Sequence, residues 1–224
     1  MFPPNLSPTC RKILAAAEPL FAQGGLDGVS LRQITTAAGV NLAAVNYHFY
    51  DKASLYKTLV SIRLRQINQQ RLARLEAAEA EAAPAGVNPA PLAAILDALA
   101  RPMLVSGPDC GPDAPRLLGR LLIERPPSLT EIIRSDFEPV MTRFAQACRR
   151  HAPLLSAEDF LWRFSYVIGA LHHAALTLPN MTQLTHGICR PAATDQALSS
   201  FVAFATSAFA ASLPSTKYRS SGRS

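Results

Sequence analysis

Apolar positions along the chain recur at intervals of three and four, and few stretches alternate with period two. That spacing predicts an all-α protein. The first helix starts at Ser7-Pro8, a capping serine followed by a proline in the first turn, where a missing N–H costs nothing. Ile13, Leu14, Ala17, Leu20 and Phe21 form its buried stripe, Pro19 should kink it, and Gly24-Gly25 stop it. Ser30 and Gln33 form a capping box that opens a short second helix, with Leu31, Ile34 and Ala38 inward. Gly39 permits the left-handed turn that ends it. A third short helix runs from about Leu42 to Phe49, with Asn41 as its cap. Leu42, Val45 and Phe49 fall on its inner face, Ala43, Ala44 and Tyr47 point outward, and Asn46 and His48 sit on the flanks.

A long fourth helix follows from Asp51 to about Ala83 and is broken by the segment 84–89. Further helices are expected at about 91–105, 114–125, 128–150, 156–178 and 194–213. Ser128 with Glu131 reads as another capping box, and Ser156 with Asp159 resembles one. Residues 106–112 and Gly187 to Pro191 carry turn chemistry and are expected as loops. Short helices with polar outward faces give way near residue 52 to longer ones dense in Ala, Leu and Phe. The expected organisation is therefore a three-helix unit at 1–52, a larger helical body at 53–213 that shares the fourth helix, and a disordered basic tail at 214–224.

With 224 residues and 49% hydrophobic content, the chain can bury a sizeable core. A net charge of +6 and a pI near 9.5 favour a polyanionic partner. Cys10, Cys110, Cys148 and Cys189 are far apart and form no CxxC, so they read as reduced thiols. The pairs Cys148/His151 and His186/Cys189 lack further ligands nearby, so no metal is expected. No run reaches the roughly 20 apolar residues that span a membrane. The N-terminus lacks the pattern of a signal peptide, and the expected location is the cytoplasm. GxSxG, Walker, GxGxxG and HExxH patterns are missing, so neither an enzyme nor a cofactor is expected. The weighed alternatives are a helical adaptor and an enzyme using a cavity in the C-terminal body.

The unit at residues 30–52 has the chemistry of a helix-turn-helix. The N-termini of its helices expose N–H groups and a positive dipole end, which suit phosphate oxygens. Ser30, Arg32, Tyr47, His48 and Lys52 can add contacts to a DNA backbone, which position without reading sequence. The third helix would enter the major groove, where Ala43 and Ala44 suit thymine methyl groups and Asn46 suits adenine. Asn41 suits either a base or a phosphate. No arginine on this helix grips guanine, so specificity should rest partly on DNA shape.

The segments AAAEPLFAQGGLDGVSLRQIT and AAGVNLAAVNYHFYDKASLY make residues 10 to 57 resemble the N-terminal DNA-binding domain of TetR-family transcriptional regulators. That resemblance implies an all-helical homodimer that represses transcription at a double-stranded DNA operator and is released by a small molecule. It also implies operator contacts from Ser30 and Arg32, from Asn41, Leu42, Ala43 and Ala44, and from Tyr47, His48 and Lys52. Asn46 departs from the family, where many members carry an aromatic. The pieces NLAAVNYHF, RLLG (116–119) and FLWRFSYVIGA (160–170) are similar to the fatty-acid-responsive subgroup, which implies a fatty acid or acyl-CoA effector.

In the C-terminal body, the helix at 156–178 carries two stripes. Phe160, Phe164, Val167, Ile168, Leu171, Ala175 and Leu178 read as core. Trp162, Tyr166, Gly169, Ala170, His173 and Thr177 would pack on a partner subunit or line a cavity. Phe201 and Phe209 on the last helix would join a four-helix dimer bundle, as the last two helices do in the family. Arg116, Arg120, Arg163 and His172 lie near apolar runs, where an arginine would suit a carboxylate or phosphate head group in a mostly apolar cavity among helices four to eight. Arg63, Arg65, Arg71 and Arg74 spread round the fourth helix and read as a solvated surface.

Overall fold

The computed structural model describes residues 2–83, 89–105, 110–124, 127–190 and 194–210. Among them there are helices and turns and no strand. The opening helices are α1 (Pro8–Gly24), α2 (Leu31–Ala38), α3 (Leu42–Phe49) and α4 (Lys52–Ala82). Each start is fixed by a side chain next to it in sequence. The Ser7 hydroxyl accepts from Cys10 N–H, the Ser30 hydroxyl from Gln33 N–H, Asn41 Oδ1 from Ala44 N–H and the Asp51 carboxylate from Ser54 N–H. Gln33 Oε1 accepts from Ser30 N–H in return, completing the box. Gly39, at φ 64° and ψ 38°, takes the left-handed turn out of α2. Helix α1 continues through Pro19 to Gly24.

The remaining helices are α5 (Leu92–Leu104), α6 (Ala114–Glu124), α7 (Thr130–Ile132), α8 (Glu138–Arg149), α9 (Ala157–Thr177), α10 (Met181–Leu184) and α11 (Thr194–Ala210). One helix was expected over 128–150. Instead a 3₁₀ turn at Pro127–Leu129 leads into α7, a π-helical segment at Ile133–Phe137 and then α8. The expected Ser128 cap falls on a side chain outside the described residues; α7 starts from Leu129 without a side-chain cap, and Glu131 pairs with Arg134. Ser156 does cap α9, accepting from Asp159 N–H. The short α10 lies between α9 and the expected loop, and a turn through Gly187 opens that loop; residues 191–193 and 211–224, including the expected basic tail, lie outside the described residues.

One apolar core runs through both parts of the molecule. Helix α4 packs along α5, α5 against α11, and α6 against α9, while α1 touches α2, α4 and α6. The α6–α9 crossing is close at Gly119, where a Cβ would lie 3.0 Å from the His172 carbonyl oxygen. A side chain there would push the two helices apart. Among the described residues, no helix is long and apolar enough to cross a membrane.

Candidate nucleic-acid interface

Helices α2 and α3 are only eight residues each, so their inner faces are small. Ile34, Val45 and Phe49 are buried, while Leu31 and Ala38 are half-buried. Leu42 was expected beside Val45 and Phe49, yet it is 51% exposed. It is the first residue of α3, and Cβ atoms lean toward a helix's N-terminus, so its side chain projects past the cover that α2 offers.

The outward face of α3 matches its periodicity. Tyr47 is 85% exposed, Ala43 and Asn46 are exposed, and Ala44 and His48 are half-buried. The Tyr47 and His48 rings meet edge to face with centroids 5.0 Å apart. Asn41 is exposed at the cap of α3, and Ser30 and Arg32 are exposed at the start of α2. The site therefore brings together the exposed starts of two short helices and an uncovered aromatic.

Lys52 is half-buried, and its ammonium donates to the Val29 carbonyl at 2.9 Å. One of its three N–H bonds thus braces α4 against the segment that leads into α2. Asp51 sits beside it at the helix start. The hydrogen bonds from the Ser54 N–H and hydroxyl hold its carboxyl below the usual range. Tyr50 was not singled out from the sequence. It is 85% exposed with φ 72°, a conformation uncommon for a bulky residue, and it turns the chain between α3 and α4. No sequence pattern marks it beyond its place between two predicted helices.

The three-helix unit is fastened to the larger body by polar contacts. Glu18 of α1 and Arg63 of α4 form a buried two-pronged ion pair, with distances of 2.8 Å from Nε and 2.5 Å from Nη2. Arg63 Nη1 also donates to Gln66, and its guanidinium lies 4.1 Å from the centre of the Phe2 ring. Burial lifts the Glu18 carboxyl above the usual carboxylate range, and Arg63 pulls it back. The Phe21 and Tyr56 rings pack edge to face across the same seam at 4.9 Å. Burial pushes the Tyr56 hydroxyl up to about 12.

Several residues of the C-terminal body stand elsewhere than expected. Arg120 is held by partners within the chain. It donates to the carbonyls of Ala22 and Gln23 at the end of α1, and pairs with Glu124 on its own helix. It serves the orphan carbonyls that any helix end leaves. Arg163 donates to the Ala208 carbonyl and so ties α9 to α11. Arg116 is half-buried, and its Nε is buried without an acceptor. His172 is buried, with its Nδ1 2.8 Å from the Ile168 carbonyl oxygen and its ring edge to face with Phe137. Desolvation, helped by the Arg71 charge, brings its pKa down to about 4, so the ring is neutral.

Phe201 and Phe209 are buried within the subunit, which corrects their expected exposure to a partner. Phe209 packs on Phe160 of α9, with centroids 5.5 Å apart. The helix has two apolar faces, and these phenylalanines lie on the one that seals its own subunit. Its outer face carries Phe204 instead, 53% exposed. On α9 the second stripe is uncovered: Leu161, Trp162 and Tyr166 are 57–62% exposed, and His173 is exposed. The Trp162 and Tyr166 rings stack 6.0 Å apart. Thr177 is half-buried, its hydroxyl bonded to the His173 carbonyl. Arg65 and Arg74 are exposed as expected, but Arg63 and Arg71 are buried. A signal for this was present, because Arg71 stands four residues from both Ile67 and Leu75 on the buried stripe of α4.

Comparison with known proteins extends the picture beyond this geometry. Residues 13–59 match the family model "Bacterial regulatory proteins, tetR family". Residues 97–208 match "Tetracyclin repressor-like, C-terminal domain". A probable HTH-type transcriptional regulator of Bacillus subtilis, YttP, is 44% identical over 50 residues, which span 22% of this chain and 24% of that protein. Among solved structures, the TetR-family regulator PfmR from Thermus thermophilus is 17% identical with a TM-score of 0.59, covering 88% of this chain and 97% of that one. A fatty acid degradation regulator, FadR, from Bacillus halodurans is 12% identical with a TM-score of 0.58, covering 88% and 96%. A transcriptional regulator from Rhodococcus is 20% identical with a TM-score of 0.56 and the same coverage. At these identities the structural likeness speaks for the fold. The two family models, one from within α1 to the start of α4 and one over half of the chain, carry the assignment: this chain belongs to the TetR family of bacterial transcriptional regulators.

Proposed function

We propose that the chain is a homodimeric, ligand-responsive transcriptional repressor that binds a pseudo-palindromic operator. Residues 1–52 serve as the DNA-reading unit and 53–213 as the ligand-binding and dimerisation body. The observation that carries this reading is the outer face of α3, where Tyr47 stands 85% exposed beside Ala43 and Asn46, between the capped starts of α2 and α4. An aromatic that exposed on a short helix has no role in its own core. Helix α3 enters the major groove. Asn46 and the alanines face base edges. Ser30, Arg32, Asn41, Tyr47, His48 and Lys52 hold the flanking phosphates.

A second copy covers the outer faces of α9 and α11. Leu161, Trp162, Tyr166 and Phe204 are large apolar side chains left in water by one subunit, and exposed apolar surface of that kind marks interfaces. At Gly169, on the same stripe, a Cβ would meet nothing within 4 Å, which leaves room for a facing helix to come close. The effector is a small apolar or acidic molecule, with a fatty acid or acyl-CoA as the class suggested by the sequence likeness. Its binding favours a dimer whose two α3 helices no longer match the groove spacing, through its differential affinity for the two states. The regulator works in the cytoplasm, where its operator is.

A gel shift on DNA upstream of the chain's own coding region tests the reading. The expected result is a saturable complex that weakens steeply with salt. Complexes that form equally on every duplex, or none at all, would contradict it.

A further inference from the structure

Among the described residues two arginines are buried, and one of them, Arg63, has an acid beside it. Arg63 is 3% exposed and meets the Glu18 carboxylate with two N–H bonds. Arg71 is 1% exposed, the largest of the fully buried side chains. Its Nε donates to the Leu99 carbonyl of α5 at 2.9 Å, and its Nη1 reaches Asn68 Oδ1 at 3.3 Å. Its Nη2 is buried with no acceptor. Among the described residues, no salt bridge includes Arg71. Desolvation is the one influence on its acidity and brings its pKa down to about 10, which still leaves it charged at neutral pH.

A buried cation without a counter-charge is expensive, and folds rarely keep one without use. We propose that Arg71 is the anchor for the carboxylate of an organic monoacid, the effector of this regulator, which enters between α4, α5 and the π-helical segment. The inference rests on the ligand-responsive reading above and deepens it. The charge balance sets the class. One uncompensated positive charge calls for a monoanion, and its neighbour His172 is neutral and supplies no second cation for a phosphate dianion. The surroundings set the rest of the molecule: Leu64, Ile67 and Leu75 share the α4 stripe with Arg71, and Leu96, Leu99 and Met103 line α5, so the body that follows the carboxylate is apolar.

The site has a route to the reading unit. Asn68, one turn before Arg71, donates to the Asp136 carbonyl of the π-helical segment at 2.6 Å. The Asp136 carboxylate accepts from Arg65, nearer the start of the same helix. An acid that draws the guanidinium off Asn68 therefore acts on the contacts that set α4 against the body, and α4 is the helix that carries the buried pair to α1.

The test is thermal unfolding of the full-length protein with octanoate, dodecanoate and benzoate, each beside its uncharged primary amide. At least one acid is expected to raise the unfolding midpoint saturably while its amide does not. In Arg71→Met the affinity for that acid should fall by about 10- to 100-fold, to that of its amide. The variant should unfold at or above the wild-type temperature, because a lone buried charge has been removed. Arg71→Lys keeps a charge and should retain part of the preference, and it carries the comparison if the methionine variant fails to fold. Equal shifts by every acid and its amide, or a preference that survives in Arg71→Met, would overturn the proposal. The wild-type protein's DNA binding without any acid is measured separately. Loss of the acid effect with DNA binding intact sinks the Arg71 site alone, whereas absent DNA binding sinks the regulator reading alone.

Discussion

Replacing Glu18 by leucine should be among the most damaging single changes outside the apolar core. The substitution leaves the Arg63 guanidinium at 3% exposure with its Nε and Nη2 donors unpaired, while Gln66 holds only Nη1. Removing one partner of a buried pair costs about 3–5 kcal/mol, because the surviving charge stays out of water. In a protein of this size each kcal/mol is worth roughly 2–4 °C in midpoint, so the loss should be about 6–20 °C. The double change Glu18→Leu with Arg63→Met removes both charges and should recover most of that loss, since an apolar pair of similar volume is often neutral or better. Circular dichroism melts of wild type, Glu18→Leu, Arg63→Met and the double variant at one fixed concentration give the cycle. A single variant within about 1 kcal/mol of wild type, or a double variant as unstable as the single, would refute the reasoning. The pair also fastens α1 to α4, so Glu18→Leu should weaken operator binding at temperatures where the protein is still folded.

Other outcomes follow from the same structure. Trp162→Glu places a charge on the uncovered α9 stripe and should give a folded monomer by sedimentation, with helical content unchanged. Arg32→Ala should weaken binding alike on cognate and mutated operators and lower the salt slope by about one, whereas Asn46→Ala should cost about 1–3 kcal/mol at one base position only. His172 is neutral in the fold, with its pKa depressed from 6.5 to about 4, so the unfolded chain takes up its proton first as pH falls. Stability is therefore lost between about pH 6.5 and 4, by up to roughly 3 kcal/mol from this group. Melts across that range should show a shallower slope in His172→Gln than in wild type.

Local signals made the reading unit legible from sequence. Ser30 with Gln33, Asn41 and Gly39 each act on neighbours within a few residues, and each formed as the sequence suggests, while Asp51, read as the first residue of the fourth helix, is its cap. What failed depended on distant chain. Leu42 has the spacing of a core residue but sits where the neighbouring helix ends. Arg71 keeps the spacing of the buried α4 stripe, but the Leu99 carbonyl that receives its Nε comes from α5, far along the chain. Phe201 and Phe209 lie on a helix with two apolar faces, and periodicity cannot say which face meets the chain's own core. The π-helical segment at Ile133–Phe137 has no sequence mark, and its Asp136 is held by Asn68 and Arg65 of α4, far off along the chain.

The most direct test of the central claim is hydroxyl-radical footprinting of the wild-type protein on its upstream operator, with the stoichiometry of the complex read by sedimentation. Two protected patches on one face of the duplex, about one helical turn or slightly more apart, with an even number of chains bound and protection lost in Tyr47→Ala, are the expected result. A single patch from a single chain, or protection that persists without Tyr47, would contradict it.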